Sequence, residues 1–197
     1  MPRLFFVKNK TLRNFIILAS LVNVVFVVFL VLFLVFEHKQ PYLALFITFL
    51  MFAYHIDIRI LIGTFVSLFK SRINVEKKSH RISEKEFKRL TKLKVKKWKE
   101  KAPTLFKSQF SLKDSQGVDA LIRNCINAEI VHWLCFFFGL GAIPLGCLLS
   151  LDELWLYILT SLITSLLFDL PFVLIQRYNR YRLYSLRDKI AKKENVQ

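Results

Sequence analysis

The chain alternates between long apolar runs and strongly basic stretches, and that alternation predicts most of its architecture. The first apolar run, Asn14 to Phe36, is unbroken and ends in VVFVVFLVLFLVF. It is longer than the core of a secretory signal, and no small-residue cleavage site follows. Glu37-His38-Lys39-Gln40-Pro41 comes next, so we read a retained span, with Pro41 suited to the first turn of a second helix. From Tyr42 to Arg59 a helix would cover about 27 Å, close to the hydrocarbon thickness of a bilayer. The following ILIGTFVSLF, Ile60 to Phe69, is too short to return across a membrane and is read as a surface-lying stretch. A third run spans Ala128 to Ser150, and a fourth spans Leu154 to Ile175 after the turn Leu151-Asp152-Glu153. The expected fold is therefore all-α: a polytopic membrane protein with four transmembrane helices. The expected divisions are an N-terminal helix pair with its interfacial stretch over 1–69, a basic segment over 70–127, and a C-terminal hairpin with a basic tail over 128–197.

Charge orients this frame. Of the 30 lysines and arginines, all but Lys39 and Arg59 precede the first run, lie between Lys70 and Arg123, or follow the fourth run from Arg177. Basic residues collect in cytoplasmic loops, so both termini and the 70–127 segment are expected in the cytoplasm. A net charge of +16 also raises nucleic acid as a partner. The bases sit between spans, however, and this favours membrane lipids with anionic headgroups over nucleic acid. Within the basic segment, KEFKRLTKLKVKKWKEK from Lys85 to Lys101 spaces Phe87, Leu90, Leu93 and Val95 or Trp98 as an apolar stripe among lysines. That pattern predicts an amphipathic helix docked on the membrane surface; a plain solvated charge run is the alternative. The three cysteines, Cys125, Cys135 and Cys147, lack metal-type spacing and imply no disulfide framework.

Small residues recur at four-residue steps, Ala142, Gly146 and Ser150 on the third helix and Ser161 and Ser165 on the fourth. Such faces let helices approach closely in lipid, although small residues also occur there by chance. Pro144 is expected to bend the third helix. The short turn makes the third and fourth helices an antiparallel hairpin. Glu129 and His132, three apart, share a face near the cytoplasmic end of the third helix. Asp169, Gln176, Arg177, Asn179 and Arg180 stand at the matching end of the fourth. His132 lies about 6 Å and Asp169 about 9 Å inside the apolar boundary, so an imidazole and two carboxylates are expected at one depth under a rim of arginines. Simpler readings exist for several of these. Glu129 can be a solvated residue at a helix N-terminus, His132 and Trp133 an interfacial pair, and Arg177, Arg180 and Arg182 topology-setting charge. Asp169 resists such a reading, because a carboxylate inside a span is costly unless paired or functional. Neither an HEXXH zinc motif nor the paired Glu-x-x-His of di-iron bundles is present, and no metal or cofactor is expected.

Three stretches together carry a resemblance: Leu93-Lys-Val-Lys-Lys-Trp-Lys-Glu-Lys-Ala-Pro103, Ala128-Glu-Ile-Val-His-Trp133, and Pro171-Phe-Val-Leu-Ile-Gln-Arg-Tyr-Asn-Arg180. In order and spacing they resemble the glycosyl-4,4'-diaponeurosporenoate acyltransferase family of bacterial membrane proteins, over roughly Lys70 to Arg187. The chain departs from that pattern at Asn124, Asn127, Asp169 and Tyr181. The resemblance implies transfer of a fatty acyl group to a hydroxyl of a membrane-held glycolipid or carotenoid glycoside, with an acyl donor and a lipid-linked acceptor as partners, in the bacterial cell membrane. On this reading His132 is the candidate base, with Glu129 or Asp169 holding its tautomer. Gln176, Arg177, Asn179, Arg180, Trp133 and Trp98 are candidate substrate-binding residues. The rival reading is a non-catalytic membrane protein that binds lipid or a partner membrane protein.

Overall fold

The structure, a computed structural model, describes residues 10–36, 40–97, 115–149 and 154–194. These are helical throughout apart from short turns, and no strand occurs among the described residues. The helices are α1 (Lys10–Val35), α2 (Gln40–Leu68), α3 (Glu84–Lys92), α4 (Ser115–Leu140), α5 (Ala142–Leu149), α6 (Leu154–Ile163) and α7 (Leu170–Glu194). A π-helical turn, Thr164–Asp169, joins α6 to α7. Among the described residues, four stretches are long and apolar enough to cross a membrane: Ile16–Val35, Pro41–Leu68, Gln116–Pro144 and Leu154–Lys193.

The first break with the sequence reading lies in α2. The stretch after Arg59 is not a separate surface element; it prolongs α2 to Leu68, giving a helix of 29 residues, or about 43 Å. Nothing in Ile60–Leu68 stops a helix, since its only glycine, Gly63, has open space around it and no Pro follows. The third apolar run breaks as expected, but at Gly141, where α4 ends and α5 begins. Pro144, in the first turn of α5, needs no N–H there, while its ring would crowd the carbonyl of Leu140 were the helix continuous.

Two compact units are built from non-contiguous parts of the chain. The first comprises residues 1–61 and 135–168. In it, aromatic rings of α1 and of the turn after it stack on those of α2: Phe29 on Phe49 with centroids 5.0 Å apart, Phe33 on Phe46 at 5.7 Å, and Phe36 on Tyr42 at 5.0 Å. Its core joins Ile47 and Met51 of α2 to Ala142 of α5 and to Leu156 and Tyr157 of α6. The small-residue faces point inward. Gly146 leaves the space that the Tyr157 ring fills, and a Cβ there would overlap the ring. Ser161 and Ser165 are wholly buried. His55 of α2 is buried too, with Nε2 3.1 Å from Thr164 Oγ1.

The second unit comprises residues 62–134 and 169–197. Its spine is an antiparallel pairing of α4 with α7, the two cooperating through Val118, Ile122 and Ile126 on one side and Tyr184 on the other. The connection between α2 and α3 is held to this spine: Tyr184 donates its hydroxyl to the Val75 carbonyl at 2.6 Å, and Arg123 Nε donates to that of Ile73 at 3.3 Å. Helix α3 begins where Ser83 Oγ accepts the Glu86 N–H, at 3.2 Å. It ends at a left-handed residue, Lys94, with φ 56°.

The apolar stripe that runs through α3 to Val95 packs against α7. Leu90 and Val95 are buried against Ile175 and Tyr178 of α7, and the Phe87 ring stacks on Tyr178 and Tyr181, 5.2 and 4.0 Å away. Burying a side chain such as Leu90 contributes roughly 2 kcal/mol, and α7 offers an apolar face from the same chain, so the stripe is satisfied internally. Leu93 alone of the aliphatic stripe residues stays half exposed. Trp98, expected on the same stripe, lies outside the described residues, as does Ser150.

Candidate functional site

The polar residues read from the sequence gather in the second unit, along the α4–α7 pairing. Residues three apart on α4 present Glu129 and His132 to α7 one turn after the other. The antiparallel course of α7 then matches them in reverse order. Toward the π turn, His132 Nδ1 lies 3.3 Å from Asp169 Oδ1. Two turns further along α7, Glu129 Oε1 accepts from Arg177 Nη1 at 2.9 Å, and Glu129 Oε2 sits 2.7 Å from Arg180 Nη1. The last is an ion pair at close range whose off-axis geometry falls short of a directed hydrogen bond.

Burial sets the energetics. Asp169 has no exposed surface, Arg180 keeps 4% and Glu129 7%. A carboxylate so enclosed is stable only with partners, and each has one on the facing helix. Asp169 closes the π turn, immediately before Leu170-Pro171. Pro171 cannot donate to a helical ladder, and a π turn ahead of it absorbs the lost register. The His132 ring is further fixed by stacking on Phe172, with centroids 4.9 Å apart and planes 11° from parallel.

Arg177 reaches a third helix. Its Nε donates to Glu86 Oε1 of α3 at 2.5 Å, so one guanidinium bridges α3 and α4 from α7. Glu86 was not among the residues picked out in the sequence, where it reads as one charge in a lysine-rich run. The Ser83-x-x-Glu86 spacing marks it as part of a helix start, and only packing of α3 on α7 aims its carboxylate at Arg177. Phe172 went unnoticed for the same reason, as one more aromatic in an apolar span. Of the other expected residues, Gln176 and Asn179 lie half-buried on α7 beside the two arginines, and Trp133 is half-buried on α4 next to His132. Four polar atoms here are buried without a hydrogen bond among the described residues: Asn127 Oδ1, Asn179 Oδ1, Arg180 Nε and Glu129 Oε2, the last keeping its ion pair with Arg180.

A second ionic cluster lies nearer the ends of the same helices. Arg187 pairs with Glu76 at 2.7 Å and with Asp119 at 3.3 Å, and Arg81 pairs with Asp188 at 3.2 Å. The Arg187 hydrogen bond holds the Glu76 carboxyl below its ordinary range. Burial, together with the charges of Arg180 and Lys77, pushes His80 below the usual imidazole value.

Fold and site thus define an all-helical protein with four helices long and apolar enough to span a membrane, carrying a histidine–carboxylate pair beside a buried Glu–Arg network. The model of the glycosyl-4,4'-diaponeurosporenoate acyltransferase family matches residues 67–189, more than half of the chain, and the protein belongs to that family. The matched region contains α3, α4, the π turn and nearly all of α7, hence every residue of the site. No curated protein and no solved structure matches the chain.

Proposed function

We propose that the protein transfers a fatty acyl group from an activated donor to a hydroxyl of a membrane-held glycolipid or carotenoid glycoside, at the cytoplasmic leaflet. The observation that carries the chemistry is the His132–Asp169 pair, at 3.3 Å. An ionised carboxylate only accepts, so it holds the proton of neutral imidazole on Nδ1 and leaves a lone pair on Nε2. Nε2 then takes the proton of the acceptor hydroxyl as its oxygen bonds to the acyl carbonyl carbon. When the tetrahedral intermediate collapses, the bond to the leaving group breaks and the imidazolium returns the proton to that group. Asp169 orients the ring and stabilises the imidazolium, as a carboxylate does in hydrolytic triads. Glu129 acts at one remove, fixing Arg177 and Arg180, while Trp133, Gln176, Asn179 and Trp98 are assigned to substrate contact.

The cytoplasmic assignment is supported by the partition of lysines and arginines, which favours both termini and the 70–127 segment on that side of a bacterial cell membrane. A single cysteine substituted at Asp152 is then labelled by an impermeant reagent only from the opposite side. Activity is tested with the purified protein in lipid nanodiscs, an acyl thioester and an alkyl glucoside acceptor. Acyl-glucoside should form with wild type and not with His132→Ala. Absence of product over a range of donors and acceptors, with wild type folded, favours a non-catalytic lipid-binding protein instead.

A further inference from the structure

The two arginines that meet Glu129 differ in their surroundings. Arg180 and Glu129 keep 5% and 9% of their side-chain surface exposed, whereas Arg177 and Glu86 keep 29% and 31%. The network therefore has an enclosed end, Glu129–Arg180, and an open end, Glu86–Arg177. Glu129 is locked in place, because both arginines hold it and little of it reaches water. Glu86 comes from a third helix, α3, and Arg177 takes its Oε1 through Nε alone. Nη1 of the same guanidinium serves Glu129, while Nη2 donates no hydrogen bond among the described residues. Glu86 also has a second place to go. It stands three residues after Ser83, whose Oγ accepts its N–H at 3.2 Å. In the usual Ser-x-x-Glu helix start, the glutamate reaches back to the backbone N–H of the serine. Here that carboxylate is turned to Arg177 instead.

Charge decides what the open end can accept. Arg177 and Arg180 are balanced by Glu86 and Glu129, so an anion added beside them is repelled unless one carboxylate leaves. Glu86 is free to leave. Solvent already reaches it, the Ser83 N–H receives it, and Leu90 and Val95 keep α3 on α7 meanwhile. Its departure bares the edge of Arg177 that carries Nε and Nη2. These two N–H groups form a fork that matches two oxygens of one phosphate, where Glu86 engages only one of them. A phosphate has a further oxygen for Arg89, an exposed cation three residues after Glu86 and on the same side of α3. We infer that Arg177 is the seat of a phosphate group, and that Glu86 occupies this seat until a phosphate-bearing ligand exchanges with it. The phosphate belongs to a membrane lipid or to a soluble donor; the chemistry of the seat is the same. The inference rests on the acyltransferase reading for its biological meaning, the phosphate being a handle about 12 Å along α7 from the Asp169 end.

The test is phosphate binding without acyl chemistry. Full-length protein in phosphatidylcholine nanodiscs is titrated with octyl phosphate and, separately, with inorganic pyrophosphate. Glu86→Gln keeps the size of the side chain and removes the competing charge, so it should tighten binding about tenfold. Glu84→Gln makes the same change in net charge two residues away, on an exposed side chain paired with Lys88, and should alter binding less than about twofold. Arg177→Gln should weaken binding about tenfold or more, in wild type and in Glu86→Gln alike. Glu129 keeps Arg180 in that variant, and the half-exposed Glu86 can turn to water or to Ser83. Tightening of octyl phosphate by Glu86→Gln supports the seat for a membrane-held phosphate; tightening of pyrophosphate alone supports it for a soluble one. Neither probe tightening overturns the inference, as does equal tightening by Glu84→Gln. Should Arg177→Gln fail to fold, the comparison of Glu86→Gln with Glu84→Gln still decides. Phosphate binding that depends on Glu86 and Arg177, without acyl transfer, sinks the acyltransferase reading alone. Acyl transfer with phosphate binding indifferent to Glu86→Gln sinks the seat alone.

Discussion

Glu129 Oε2 lies 2.7 Å from Arg180 Nη1, and both side chains are buried, with 7% and 4% of their surface exposed. The pair joins α4 to α7 in a place where neither charge can turn to water. Removing one member strands the other, at a cost of about 3–5 kcal/mol. Glu129→Ala should therefore lower stability far more than an exposed Glu→Ala change such as Glu84→Ala. Replacing Glu129 and Arg180 together with leucine should recover much of the loss. A double-mutant cycle followed by thermal unfolding in nanodiscs measures the coupling, and additive single effects would show the contact to be energetically idle.

On the proposed mechanism, His132 and Asp169 act directly in the reaction. His132→Ala should lower acyl transfer by about 10²–10⁴-fold per folded molecule, and should also lower the melting temperature, because it strips a partner from the wholly buried Asp169. Asp169→Asn keeps the size of the side chain but offers an amide that can drive the wrong imidazole tautomer, and should also lose orders of magnitude in rate. Turnover of the thioester donor reads both variants, and an Asp169→Asn protein with wild-type turnover removes Asp169 from the mechanism.

Two groups outside the spans make stability fall on the acid side. His80 is held below the ordinary imidazole value of 6.5, so the unfolded chain takes up this proton more readily than the folded one. Stability is thus fully present above about pH 6.5 and declines as pH falls below it. Glu76, held below 4.5 by Arg187, extends the decline from about pH 4.5 downward. His80→Gln should flatten the first part of a stability–pH curve and leave the second. A curve unchanged by His80→Gln between pH 7 and 5 would show that the ring titrates alike in both states.

Lys94 adopts φ 56° at the end of α3, where a side chain costs about 1 kcal/mol and glycine does not. Lys94→Gly should raise the melting temperature, whereas Lys94→Val should lower it, because a branched Cβ fits that conformation worst. Thermal unfolding of the two variants gives the order directly.

Leu90 is 3% exposed and packs with Val95 on Ile175 and Tyr178. Leu90→Ala should cost about 2–5 kcal/mol in any lipid, charged or neutral. Stability lost only in anionic membranes would return α3 to the surface-docked role its sequence suggests.

What the sequence determined by itself is what local pattern can carry. Apolar runs long enough for a bilayer marked the four helices, and Glu129 and His132 fell on one face because their spacing of three is a property of any α-helix. Asp169 stood out because a carboxylate among Leu, Phe and Pro needs a partner wherever it is placed. The three quoted stretches carried the family, because order and spacing survive without knowledge of the fold. Partner choice was different in kind. That Asp169 meets His132 while Glu129 takes two arginines depends on the register of α4 against α7, and on the π turn that sets where Asp169 points. The turn of α3 onto α7 depends on Phe87, Leu90 and Val95 finding Ile175, Tyr178 and Tyr181, some eighty residues away in the chain. An amphipathic stripe states only that an apolar surface must be covered; tertiary packing decided that α7, and not lipid, covers it, and so brought Glu86 to Arg177. The continuity of α2 past Arg59 follows the same logic, since a charged residue near the end of a span weakens the hydrophobic signal without interrupting the backbone ladder.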